Sequence, residues 1–152
     1  MHIEKYEDVS DIEISDISMP EELKEFMDKW GRFIKDELPI VSIGPKKFGL
    51  KEITMKVSEI YLYLDQISSQ ANEANACHVG YAFDLLNNER KIPKSYKKNI
   101  LVFKTIFEDK KGIKSFLVLN FSQAENKWKF NFIAEGFITP PPRTRFFCLV
   151  EE

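Results

Sequence analysis

The sequence predicts an α+β protein in which N-terminal helices pack on a C-terminal antiparallel meander of about four strands. Three observations predict it. The segment from Asn99 to Val150 holds nine of the thirteen Phe residues and alternates with period two. Two earlier segments, starting near Glu21 and Leu50, repeat their apolar residues at spacings of three and four. At 152 residues, the chain has the length of one domain, so 1–152 is expected to fold as a single unit burying about two-thirds of its unfolded surface.

The strands carry the clearest signal. Leu101, Phe103, Thr105 and Phe107 alternate with Ile100, Val102, Lys104 and Ile106, and Trp128, Phe130, Phe132 and Ala134 alternate with Lys129, Asn131, Ile133 and Glu135. Such alternation, rich in β-branched and aromatic residues, is the strand pattern. Asp109-Lys110-Lys111-Gly112 and Gln123–Lys127 are loops of hairpin length. In the strand from Ile100 both faces are apolar, which predicts a sheet that is covered or strongly curved. Pro140-Pro141-Pro142 is a stiff connector into a last strand, Thr144–Val150.

Before the meander, residues 1–18 suit an edge strand or an extended arm. Ser18-Met19-Pro20-Glu21-Glu22 predicts a helix start, with Ser18 as N-cap and two acids favouring the positive end of the helix dipole. Leu23, Phe26, Met27, Trp30, Phe33 and Ile34 form one face, Gly31 lies inside, and Pro39 sets the limit. Pro39–Ile43 is a short strand candidate, followed by a loop through Lys46, Lys47 and Gly49. Leu50, Ile53, Val57, Ile60, Leu64 and Ile67 predict a helix over 50–69. Residues 70–90 begin as helix and leave helix or strand open from 76 to 86. Arg90–Lys98 is a basic surface loop.

Charge is distributed unevenly under a net −2. Residues 1–39 carry twelve acids against five bases, and residues 86–114 carry nine bases against three acids. The bland explanation is a pair of solvated or mutually facing segments. The functional one is steering of a charged partner.

Chemistry-bearing motifs are missing. There is no GxSxG, HExxH, P-loop or GxGxxG pattern, and no cofactor is implied. Cys77 and Cys148 lack ligand spacing and suit buried thiols in a reducing, cytoplasmic setting. His78 has Cys77, Glu73 and Asp84 nearby in sequence, but in no zinc-like spacing; a packed histidine is the simpler reading. Glu108-Asp109 suits a hairpin tip. Glu135 shares a strand face with Asn131 and would be a base only if that face lined an apolar cavity. Lys91, Lys94, Lys97 and Lys98 around Tyr96 form a basic stretch, but a pI near 5.8 argues against nucleic-acid binding. The acidic N-terminus is no secretory signal, and no apolar run is long enough to span a membrane. Trp30 and Trp128 are expected in the core.

Two functions fit. The first is a small intracellular protein-binding module without catalysis, its partner another protein, such as a basic toxin domain, and its oligomeric state open. The contact residues would be Glu21, Glu22, Glu25 and Asp28 on the first helix. Arg143 and Arg145, beside Phe146 and Phe147, would be an anchor surface or else the charged guard of an edge strand. In general character, short, partly acidic and motif-poor, the chain resembles bacterial immunity proteins that neutralise toxins. The second is a cone-shaped domain with a small-molecule pocket. Helices followed by a Phe- and Trp-rich meander look like the nuclear-transport-factor-2-like superfamily, which implies a curved sheet enclosing a pocket, with Glu135, His78 and Tyr81 as its polar residues.

Overall fold

The computed structural model describes residues 5–35, 37–54, 64–134 and 141–150. A mixed sheet forms the centre. Its strands are β1 (Glu7–Ile14), β2 (Phe33–Ile34), β3 (Gly44–Glu52), β4 (Ile100–Glu108), β5 (Lys114–Ser122), β6 (Lys127–Ala134) and β7 (Thr144–Leu149). The helices are α1 (Glu21–Trp30), α2 (Leu64–Glu73) and α3 (Val79–Asn87). The strand order is β1-β3-β7-β4-β5-β6, with β2 paired to the end of β4. All pairs are antiparallel except β4 with β7.

The α+β class and the β4-β5-β6 meander match the sequence pattern, whereas strand number and order differ. Among the described residues the sheet has seven strands, and helices do not come first, because β1 precedes α1. β7 does not lie beside β6. It crosses back to the middle of the sheet, between β3 and β4. It is therefore not an edge strand, and its run of buried residues from Thr144 to Cys148 reflects cover on both faces.

β3 was expected as loop and helix start. Its Phe48 and Leu50 enter one core, while Gly49 lies beneath Tyr6 and Val150, where an added Cβ would sit 2.6 Å from the Tyr6 Cβ. Hydrogen bonding to β1 and β7 makes it a strand despite a weak local pattern. Of the helix expected over 50–69, residues 50–52 belong to β3, 55–63 lie outside the described residues, and α2 begins at Leu64. Residues 39–43 form no strand; Val41 is buried, but Ile40 and Ile43 are exposed.

α1 is shorter than expected. Gly31 is its C-cap, not an interior residue. At φ 63° it donates to the Asp28 carbonyl, and the Arg32 N–H reaches the Met27 carbonyl at 2.9 Å. This left-handed ending satisfies two terminal carbonyls and suits a residue without Cβ. The N-cap position is Pro20, not Ser18, whose N–H and hydroxyl instead bond Asp16.

The sheet is covered on both faces. Leu101, Phe103 and Phe107 of β4 join Leu23 and Met27 of α1, Ala82, Phe83 and Leu85 of α3, and Phe147. Val102 joins Ile67, Ala71 and Ala74 around α2, with Phe116, Val118, Phe146 and Cys148. A bulge over 103–105, where pairing shifts between Val102 and Ile106, opens β4 away from β7. Residues 75–78 fill that fork. The Cys77 N–H donates to the Phe147 carbonyl at 2.8 Å, and its carbonyl accepts from the Lys104 N–H at 2.9 Å. The undecided stretch 76–86 is thus a one-residue bridge at Ala76 followed by α3.

Candidate functional site

α1 presents the most distinctive surface. Burial of Leu23 and Met27 turns Glu21, Glu22, Glu25 and Asp28 outward, where all four are exposed. Among the described residues none of these four takes part in an ion pair. Lys24 and Lys29 share the helix, so its net charge is −2, four acids less two lysines.

Because α1 ends at Gly31, Trp30 does not continue into the core. It is 59% exposed, with Phe33 48% exposed beyond it. Trp128, by contrast, is buried as expected. Phe26 is half-buried and joins α1 to β6. Its ring stacks on Phe132 at 5.5 Å and meets Phe130 edge-on at 5.5 Å. Cations decorate these aromatics: Arg32 sits 4.3 Å from the Phe132 ring centre, Lys97 4.3 Å from Phe121, and Lys29 5.5 Å from Trp30.

Between the start of α1, the end of α3 and β6 lies a cleft of about 320 Å³. Its lining combines apolar Phe26, Leu86, Trp128 and Phe130 with charged Glu22, Glu89, Lys127 and Lys129. Glu89 accepts from the Trp128 N–H at 3.3 Å, and Lys129 is paired with Glu125.

Arg143 and Arg145 stand apart from the acids, at the start of β7. The Arg145 Nε donates to Glu7 Oε2 at 2.8 Å and its Nη1 donates to the Thr144 carbonyl, so its charge is used within the sheet. Arg143 has left-handed backbone at φ 67° and a buried Nε without a partner among the described residues.

The remaining sequence candidates are engaged structurally. His78 caps α3: its Nδ1 accepts from the Gly80 N–H at 3.2 Å, while Thr105 Oγ1 accepts from the Val79 N–H at 3.0 Å. Burial first, then the Lys104 charge, lowers the His78 pKa. His78 borders a cleft of about 160 Å³ with Glu37, Lys104 and Thr105. Tyr81 is buried against Phe48 at 5.5 Å, and burial raises its phenol pKa. Burial likewise raises the thiols, Cys77 well above the ordinary range and Cys148 to about 12, which leaves neither as a nucleophile at neutral pH. Asp84 is consumed by the N–H groups of Ser15 and Asp16 and by Lys91. Among the described residues no three His, Cys, Asp or Glu side chains are grouped to hold a metal. Asp109 closes its turn by accepting from Lys111 and Ile113. In the basic stretch, Tyr96 is fully buried and donates to the Asp8 carbonyl at 2.7 Å. Glu135 lies outside the described residues.

A further cleft, about 460 Å³, is on the α2 face and is lined by Lys5, Lys51, Glu52, Gln70, Glu73 and Phe146 among others. It includes neither His78 nor Tyr81, and the sequence pattern did not point to it. No helix among the described residues is long and apolar enough to cross a membrane.

The fold and surface define an α+β protein whose mixed sheet is covered on both faces and whose first helix is acidic outside. Comparison with known proteins adds no family to that description: no family model, curated protein or solved structure matches the chain.

Proposed function

We propose that the chain is a small protein-binding module without catalysis, which captures a basic partner through α1. A bacterial immunity protein that neutralises a basic toxin domain is the specific form of this reading. The observation that supports it most is the 59% exposed Trp30 on a helix whose four acids have no ion-pair partner among the described residues. Exposed Trp residues are enriched among the anchors of protein interfaces, and free surface carboxylates accelerate encounter with a cationic surface. The test is to identify the protein that co-purifies with the chain and measure its association rate at low salt. Reversal of Glu21, Glu22, Glu25 and Asp28 to lysine is expected to slow association by about tenfold or more, and to flatten its salt dependence. Equal rates for the two proteins would exclude the acidic surface as the docking face.

The 460 Å³ cleft on the α2 face favours a second reading, a small-molecule pocket like those of the nuclear-transport-factor-2-like superfamily. Its volume lies in the usual range for ligand sites. Its polar residues would be Gln70, Glu73, Lys51 and Glu52 in place of His78 and Tyr81.

A further inference from the structure

The cleft between α1 and β6 has a composition that selects one kind of side chain. Its lining is aromatic and aliphatic, from Phe26, Trp128, Phe130 and Leu86, and two carboxylates, Glu22 and Glu89, stand at its edge. Arginine matches both parts. Its guanidinium stacks on aromatic rings and pairs with carboxylates, and it keeps its charge when partly desolvated. The same sheet already uses this chemistry internally, with Arg32 over Phe132 and Lys97 over Phe121. No cation among the described residues sits over Phe26, Trp128 or Phe130. Phe26 and Phe130, both half-buried, turn part of their rings to the cleft, while Phe26 also stacks on Phe132 and Trp128 is buried against Phe121.

We propose that this cleft receives an arginine side chain presented by the partner, with its guanidinium against the aromatic lining and Glu22 as its counter-charge. The inference rests on α1 being the partner-facing surface. Glu22 is the free carboxylate, since it is exposed and unpaired, whereas Glu89 is held by the Trp128 N–H. The two lysines on the rim oppose a cation less than their number suggests. Both lysines line the cleft, but Lys129 is paired with Glu125, and Lys127 lies near the same carboxylate.

The test titrates the full chain with the tripeptide acetyl-Gly-Arg-Gly-amide, and with its citrulline counterpart of the same shape and no charge. Amide and indole NMR shifts supply the readout. Saturable shifts at Glu22, Phe26, Glu89 and Trp128 are expected for the arginine peptide, with binding weakened about tenfold by citrulline or by Glu22→Gln. Glu22 is exposed, so this variant keeps the fold, and Glu13→Gln, an exposed carboxylate on β1 outside the cleft, serves as the control that leaves binding unchanged. Equal shifts with arginine and citrulline, or shifts confined to residues away from the cleft, would overturn the proposal. The broader reading fails separately. If lysine reversal on α1 slows partner capture while the arginine peptide leaves the cleft unmoved, only the arginine cleft falls. If the peptide titrates the cleft and reversal leaves capture unchanged, the acidic docking face falls, and with it the partner as the source of the arginine.

Discussion

Replacing Asp84 with alanine is expected to destabilise the fold by about 3 kcal/mol. The side chain is fully buried on α3 and ties the turn after β1 to the helix. One oxygen accepts from the Ser15 N–H at 2.9 Å and the Asp16 N–H at 2.8 Å, and both oxygens lie within 3.1 Å of the Lys91 ammonium. Truncation removes the acceptor of two backbone donors and the counter-ion of a mostly buried cation. Breaking a buried pair from one side costs about 3–5 kcal/mol. The lower end applies here, because Lys91 is 13% exposed and retains the Glu13 carbonyl and the Ser15 hydroxyl as acceptors. Against a total stability of about 5–15 kcal/mol, this is a large fraction. Urea unfolding followed by circular dichroism measures it, with Lys91→Met and the double variant completing a cycle. The double variant leaves no orphan charge, so it should be milder than the sum of the single ones by about 1–2 kcal/mol. A cost for Asp84→Ala below about 1 kcal/mol, or strict additivity, would refute the account of Asp84 as the clamp between β1 and α3.

Three further outcomes are expected. Gly31→Ala places a Cβ on a residue at φ 63° and 2.9 Å from the Lys110 side chain, so thermal unfolding should show a loss of about 1–2 kcal/mol; an unchanged midpoint would contradict the left-handed cap. Thr105→Val leaves the Val79 N–H without its acceptor at a buried helix start, which should cost about 1–3 kcal/mol and speed exchange of that amide, whereas protection equal to the parent's would show that the hydroxyl is not the cap. His78 has a folded pKa depressed below its ordinary 6.5, so the unfolded chain binds the proton more readily and stability falls as pH drops from 6.5 through the lower folded value. The stability advantage of the parent over His78→Gln should therefore be full near neutrality and shrink as the pH falls below 6.5, and a constant difference by urea titration would count against the buried neutral imidazole.

How much of this fold is legible in the sequence depends on which elements carry their own pattern. β4, β5 and β6 do, because alternation marks a strand wherever one face is buried, and their hairpins are short. β3 does not. Gly44-Pro45-Lys46-Lys47 looks like a loop, and Leu50 starts a helical spacing, yet β1 on one side and β7 on the other supply its hydrogen bonds. The place of β7 is likewise set by partners far away in sequence. Consecutive apolar residues, as Phe146 to Val150 are, belong in a sheet interior, and that run was the available signal for a crossover. The fork over 103–105 has no local signature at all. It exists because Thr105 and the Lys104 N–H bond to residues 77–79 instead of to a neighbouring strand.

The candidate site divides in the same way. The acids of α1 follow from the helical wheel, since Leu23 and Met27 fix which side is buried. Trp30 was misassigned to the core because a 3.6-residue period extended past Gly31 keeps it on the apolar face. Once Gly31 is left-handed, the wheel stops and Trp30 is at the helix end, in solvent. A glycine one residue beyond a plausible last turn was itself the stop signal. The α1–β6 cleft required more. Alternation exposed Trp128 and Phe130 as one face of a strand, but only the long-range packing of Phe26 against that face brings Glu22 beside it. Phe26 lies one helical turn from Glu22 and Trp30, so its two ring contacts set the position of an acid and an exposed aromatic relative to β6. The placement of the α1 acids and Trp30 beside β6 is therefore a consequence of the packing of Phe26 on Phe130 and Phe132, between elements about one hundred residues apart, which no local pattern encodes.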